Sequence, residues 1–152
     1  MILEYYLVRE GAVPPTRANP SDAGLDLVFN PEDGKSIFID EGNSAILPTA
    51  VKFGIPHGYM IQIMNRSSVA AKRSLIVGAH VVDSGYNGEV FVNLHNVGKV
   101  GQFIKPGERI AQAVVIPVVA VRFLNTTSDN LYDWSPITIS GRGDGALGST
   151  GR

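Results

Sequence analysis

The sequence predicts a single all-β domain, a barrel or jelly roll with one short helix and a glycine-rich tail. Three observations carry that prediction. The apolar runs are short and rich in β-branched and aromatic residues, some in strict alternation. Turn residues separate them throughout, with 17 Gly and 9 Pro spread along the chain. Only one stretch has helical character. At 152 residues the chain suits one domain, large enough to bury about two-thirds of its unfolded surface.

Taken in order, residues 46–55 and 59–64 (Tyr-Met-Ile-Gln-Ile-Met) read as strands. Ser67 to Arg73 reads as the helix, with Ser67 placed to cap a turn of Val69, Ala70, Ala71 and Lys72. In residues 89–95, Val90, Val92 and Leu94 alternate with Glu89, Phe91, Asn93 and His95, the pattern of a half-buried strand. Residues 109–116 and 118–124 read as two further strands divided by Pro117, which cannot donate to a ladder. Asn87-Gly88 is expected to close a tight hairpin by supplying positive φ. Residues 1–140 form the expected barrel domain. In residues 141–152, Gly141, Gly143, Gly145, Gly148 and Gly151 leave little to pack. Ordering such a tail costs about 1–2 kcal/mol per residue in backbone entropy, so a ligand or a neighbouring subunit must offset it.

Composition removes several function classes. A formal net charge of −1 gives no basic field for nucleic acid or a membrane surface. The absence of cysteine excludes disulfides, thiolate metal ligands and a Cys nucleophile. The start, Met1-Ile2-Leu3-Glu4-Tyr5-Tyr6, lacks the basic region and apolar stretch of a signal peptide. The most apolar run, Ala113 to Val121, is interrupted by Pro117 and far short of the roughly 20 residues that span a bilayer. A soluble, cytoplasmic protein is the default expectation.

Five polar stretches interrupt the apolar pattern: Ala23-Gly24-Leu25-Asp26-Leu27; Asn65-Arg66-Ser67-Ser68; Val82-Asp83-Ser84-Gly85-Tyr86-Asn87-Gly88-Glu89; Gly107-Glu108-Arg109-Ile110-Ala111-Gln112; and Arg142 to Gly151. Taken singly, each reads two ways. Arg66-Ser67-Ser68 is either an anion site, where N–H groups, hydroxyls and a guanidinium converge, or a plain helix start. The tail is either a phosphate cradle without the Walker lysine or an unstructured end. Asp83 is a general base or a turn aspartate. Asp26, between Leu25 and Leu27, must be hydrogen-bonded or paired, and sits either in a structural ion pair or near a metal. His57, His80 and His95 lack metal-ligand spacing, and no Gly-x-Ser-x-Gly elbow is present.

In this order and at these separations, the five stretches closely resemble the five motifs of trimeric dUTPases, from about Pro20 to Arg152. The resemblance implies a jelly-roll-like barrel, a homotrimer with shared active sites, and a tail exchanged between subunits. It implies hydrolysis of dUTP to dUMP and pyrophosphate, which keeps uracil out of DNA and supplies dUMP for dTMP synthesis. Asp83 is then the base that deprotonates water for in-line attack on the α-phosphorus. A carboxylate is already ionised at neutral pH, so positioning must supply most of its effect. Tyr86 packs under the deoxyribose. Arg66, Ser67 and Ser68 hold the triphosphate, Gln112 contacts phosphate or water, and Arg142, Gly148, Ser149 and Thr150 close on the γ end.

A hairpin at residues 76–83, including Val77, Gly78 and Val82, reads uracil by its backbone and refuses the thymine methyl. Mg2+ is held by phosphates and water without direct protein ligands, with Asp26 near its water shell or supporting an arginine. The sequence departs from the family pattern at three positions. Leu147 replaces the usual aromatic over the base, which lowers affinity by roughly 1 kcal/mol. Ala146 replaces a Gly, and His80 stands where Gly is common, its side chain crowding the base or pointing out. A dCTP deaminase and a nucleotide-gated binding or signalling protein are the alternative functions on the same fold.

Overall fold

Eleven strands and one helix follow one another in the computed structural model, which describes residues 1–134 and 136. They are β1 (Glu4–Leu7), β2 (Gly24–Val28), β3 (Ile37–Ile39), β4 (Ser44–Pro48), β5 (Val51–Gly54), β6 (Tyr59–Met64), α1 (Ser67–Arg73), β7 (Leu75–Val77), β8 (Val81–Val82), β9 (Phe91–Asn96), β10 (Gln102–Ile104) and β11 (Arg109–Pro117). The chain divides into two units, Met1–Ala120 and Val121–Arg152, and all twelve elements lie in the first. The predicted class, mostly β with one short helix, is the one observed. No helix among the described residues is long and apolar enough to cross a membrane.

Every ladder is antiparallel, and the strands form four small sheets: β1-β5, β3-β10, β2-β11-β6-β8 and β4-β9-β7. Their hydrogen bonds do not close into one cylinder among the described residues. The sheets instead share one apolar core, in which Leu27, Leu47, Ile61, Leu75, Val92 and Leu94 are almost fully enclosed. The alternation read in residues 89–95 is the reason β9 lies where it does. Val90, Val92 and Leu94 face the core, while Phe91, Asn93 and His95 remain on the outer face.

Three local expectations fail, each for a tertiary reason. The run 46–55 is two strands, not one, because Ala50 turns to φ +58 between β4 and β5. Its N–H donates to the Glu89 carboxylate at 2.7 Å, and the Thr49 hydroxyl donates to the Val90 carbonyl at 2.6 Å. Partners some 40 residues away thus break the strand. The tight turn near residue 87 is made by Gly85 (φ +87), with the Tyr86 N–H donating to the Asp83 carbonyl at 3.2 Å; Asn87-Gly88 supplies no positive φ. Residues 118–124 form no strand. Pro117 does end β11, but the next N–H, of Val118, goes to the Gly58 carbonyl at 2.8 Å.

Candidate functional site

The strand β11 pairs with β2 on one side and β6 on the other, which sets Gln112 opposite both Asp26 and Met64. Just past the end of β6, Arg66 takes extended angles (φ −83, ψ 132) as the residue that opens α1. Its side chain returns across the sheet. Arg66 Nε lies 2.8 Å from Asp26 Oδ1, and Nη1 donates to the Arg109 carbonyl at 3.2 Å. Arg109 Nη1 is 3.6 Å from the other carboxylate oxygen. Of the two roles open to Asp26, the structure forms the ion pair with arginine. The aspartate that must be paired on a half-buried strand is paired twice.

Gln112 closes the same corner, donating from Nε2 to the Asn65 carbonyl at 2.9 Å. Gly24 is required beside it, since a Cβ there would stand 2.4 Å from Gln112 Oε1. Asn65 Oδ1 accepts the Val77 N–H at 2.7 Å, fixing the start of the segment expected to read a base. Ser67 and Ser68 are exposed in the first turn of α1. The expected Ser67 cap is not made: Arg66 is the cap residue, and no side-chain hydrogen bond caps that end. The turn also lacks an acidic residue, so no carboxylate of its own competes for an anion beside Arg66. Residues from three separate stretches therefore meet in one cation-and-hydroxyl corner.

Segment 76–83 is not a hydrogen-bonded hairpin. Its first arm, in β7, pairs with β9, and its second, β8, pairs with β6. The segment thus crosses from one sheet to another. At the crossing the Gly78 N–H donates to the Asn93 carbonyl at 2.9 Å and His80 accepts from the Ile63 N–H at 2.8 Å. A Cβ on Gly78 would meet Asn93 Oδ1 at 2.3 Å and His95 Nε2 at 2.4 Å, so glycine is demanded by packing. The exposed His80 ring turns back to the Gly78 carbonyl, with Nδ1 2.9 Å away.

Asp83 is exposed and lines a hollow of about 230 Å³ with Val82, Tyr86, Glu89 and Phe91. The Tyr86 hydroxyl donates to the Glu89 carbonyl at 2.9 Å, and Gly88 leaves room for the ring. Glu89 in turn pairs with Arg9, whose guanidinium that hydrogen bond holds above its ordinary pKa, against the opposing effect of burial. Sequence reasoning missed Arg9 altogether. It lies 80 residues from its partner, in a segment without a motif, and only the folded chain joins them.

Asp83 and Tyr86 make no hydrogen bond or ion pair to the Arg66 corner. Val82 pairs with Ile61 while Gln112 pairs with both Met64 and Asp26, so continuing β8 sets Asp83 level with Met60, four residues before the level at which Asp26 holds Arg66. At ~3.3 Å per residue that is roughly 13 Å along the strand. Among the described residues no group of three His, Cys, Asp or Glu could hold a metal ion. Arg142, Leu147, Gly148, Ser149 and Thr150, with Ala146, lie outside the described residues.

Fold and corner together define a mostly β protein with cations and hydroxyls gathered at one end of a sheet. The dUTPase family model matches residues 11–150. The chain is 36% identical over 146 residues to the deoxyuridine 5'-triphosphate nucleotidohydrolase of Chlamydia trachomatis, covering 95% of this chain and 94% of that one. It is 38% identical over 150 residues to the enzyme of the same name from Bartonella bacilliformis, covering 94% and 85%. Among solved structures, a mutant Staphylococcus bacteriophage 80alpha dUTPase with dUpNHpp aligns at a TM-score of 0.80, with 24% identity over 99% of both chains. A mutant dUTPase from phage phi11 of S. aureus, described for its structural Mg(II) ion, aligns at 0.75 with 22% identity, over 85% of this chain and 99% of that one. The chain belongs to the dUTPase family.

Proposed function

We propose that this chain is a dUTP pyrophosphatase, releasing dUMP and pyrophosphate and so keeping uracil out of DNA while supplying dUMP for dTMP synthesis. The observation that carries the reading is the corner where Asp26 holds Arg66 at 2.8 Å beside the uncapped start of α1. A guanidinium, two serine hydroxyls and the backbone donors of a helix start are the groups a triphosphate needs. They lie on one stretch, and residues distant in sequence hold its arginine in place: Asp26 by its carboxylate and Arg109 by its carbonyl.

Asp83 takes a proton from a water whose oxygen bonds the α-phosphorus while the bond to the β-bridging oxygen breaks in line. Arg66, Ser67 and Ser68 hold the phosphates, and Gln112 orients phosphate or water. Tyr86 lies under the deoxyribose, and Val77, Gly78 and Val82 border uracil. Arg142, Leu147, Gly148, Ser149 and Thr150 close over the nucleotide from the tail. Both carboxylate oxygens of Asp26 face arginines, which suits Mg2+ arriving on the phosphates rather than on a protein carboxylate. When bound there, Mg2+ neutralises phosphate charge.

The strand separation between Asp83 and Arg66 supports a site completed by a second copy, within a homotrimer of jelly-roll-like barrels that exchange residues 141–152. The deaminase and binding-protein alternatives draw no specific observation. Pyrophosphate release from dUTP, dTTP, dCTP and UTP with Mg2+, for the natural chain and Asp83→Asn, tests the reading. Turnover of dUTP alone, reduced about 10²–10⁴-fold by Asp83→Asn, is expected. A folded natural chain that binds dUTP without turnover would leave a nucleotide-sensing module.

A further inference from the structure

The turn from Asp83 to Gly88 carries the two residues on which the proposed chemistry and sugar recognition depend, and its downstream end is fixed by Glu89. The Glu89 carbonyl accepts the Tyr86 hydroxyl at 2.9 Å. Its carboxylate is gripped from two directions. Arg9, just beyond β1, reaches Oε2 with Nη1 at 3.0 Å and Oε1 with Nη2, a two-pronged pair. The Ala50 N–H donates to Oε1 at 2.7 Å, and this contact holds the buried Ala50 at its left-handed φ of +58.

The pair is anchored in turn. Arg9 Nη2 donates to the Asn30 carbonyl at 2.9 Å. The buried Asn30 amide bonds the Val13 N–H at 3.0 Å, the Val13 carbonyl at 3.0 Å and the Thr49 carbonyl at 2.8 Å. One residue at the end of the turn is thereby tied to the β1 exit, the β2 exit and the β4–β5 break. Side-chain exposure is only 24% for Arg9 and 15% for Glu89. Charges so covered are poor sources of stability, because desolvation offsets their attraction; what they supply is fixed geometry. Arginine's planar fork sets both distance and angle, which a lysine would not.

We propose that Arg9 and Glu89 are positioning residues: their two-pronged pair fixes the Asp83–Gly88 turn so that Asp83 meets the attacking water and Tyr86 meets the sugar. This rests on the roles given above to Asp83 and Tyr86. The competing account is that packing of Val90 and the Ser84 hydroxyl, which donates to the Ile55 carbonyl at 3.0 Å, hold the turn unaided.

The test uses the full chain and Glu89→Gln, Arg9→Met and Arg9→Lys. Glu89→Gln keeps the shape and an acceptor for Ala50 but removes the charge, and Arg9→Lys keeps the charge without the fork. Two readouts are taken: kcat and KM for dUTP and UTP with Mg2+, and amide hydrogen exchange over residues 83–88 against β9. A displaced turn lowers kcat for dUTP about tenfold or more with little change in KM. The ratio of kcat/KM for dUTP to that for UTP also falls, by about fivefold, because Tyr86 moves with Asp83. Arg9→Lys recovers part of both, and exchange quickens in 83–88 while β9 stays protected.

A merely structural pair would lower kcat only as the folded fraction falls, with the dUTP-to-UTP ratio unchanged, since that ratio does not depend on how much protein is folded. That result, or unaltered exchange over 83–88, overturns the proposal. Absence of dUTP turnover in the natural chain would overturn the reading of the site, and the catalytic part of this proposal with it. Exchange would still decide whether the pair holds the turn.

Discussion

Replacing Asp26 by Asn separates the two roles the sequence left open for it. The Asp26 carboxylate meets Arg66 Nε at 2.8 Å and Arg109 Nη1 at 3.6 Å, with its own side chain 15% exposed. Asp26→Asn preserves shape and one acceptor oxygen and deletes the charge. The bond to Arg66 survives in the variant as one from a charged donor, worth about 1.5–3 kcal/mol, and what is lost is the ion-pair attraction. For this partly covered pair the loss is about 1–1.5 kcal/mol, somewhat above the range of about 0.2–1 kcal/mol for exposed pairs. Arg109, 51% exposed and at longer range, adds a few tenths at most. With about 1.4 kcal/mol per factor of ten, a loosened Arg66 should raise KM for dUTP roughly five- to tenfold. If the phosphates are held alike in ground and transition states, kcat stays within about threefold. The unfolding midpoint should fall by about 3–6 °C. The assay is initial rate against dUTP at saturating Mg2+, then against Mg2+ at saturating dUTP. An unchanged KM for dUTP with a raised Mg2+ requirement would refute the argument, placing Asp26 on the water shell of the metal instead.

Two further outcomes follow from the same geometry, and a third from the family resemblance. Gly88→Ala sets a Cβ 2.4 Å from the Tyr86 hydroxyl and 2.5 Å from Cζ, so the ring must swing away; competition kinetics should show discrimination between dUTP and UTP reduced by about fivefold, an interaction loss of ~1 kcal/mol. Ala50→Val forces a β-branched residue into φ +58 at a fully enclosed position; urea unfolding should show about 2 kcal/mol lost at unchanged slope. Leu147→Phe restores a ring where the family carries one, and calorimetry with dUpNHpp should register tightening of roughly fivefold, near 1 kcal/mol; no change would mean that position 147 does not cover the base.

The sequence made visible what depends on local pattern. Val90, Val92 and Leu94 revealed β9 and its buried face, and Ser67–Arg73 was bounded as the helix it is. What stayed hidden depends on contacts between distant residues. Nothing near Ala50 announces a left-handed residue, because its cause is a carboxylate 39 positions later. The crossing at 76–83 looks like a hairpin until β9 and β6 claim its two arms. At the site, Asp26 was recognised as a residue that needs a partner, and the fold supplies Arg66 and Arg109 in that place. Arg9 offered no signal, since an arginine near a chain end is ordinarily a solvated charge.

The register of β6 bears on why such a site would be shared. This strand carries β8 at its middle residues and leads into Arg66 past its end, so the proposed base and the Asp26–Arg66 contact sit roughly 13 Å apart along the strand direction. A base must come within hydrogen-bond reach of the water it activates, and that water must lie in line with a phosphate held at the Arg66 corner. Within one chain the two demands fall on separate parts of the central sheet, whose β11–β6 ladder runs unbroken from Gln112 to Pro117. The homotrimer proposed above would meet them with every strand left in place, a second copy presenting its own Asp83–Gly88 turn to the first copy's corner. In that arrangement the Arg9–Glu89 pair belongs to the copy that supplies the base and the Asp26–Arg66 pair to the copy that holds the phosphates. Each ion pair would then steady one half of the proposed shared site.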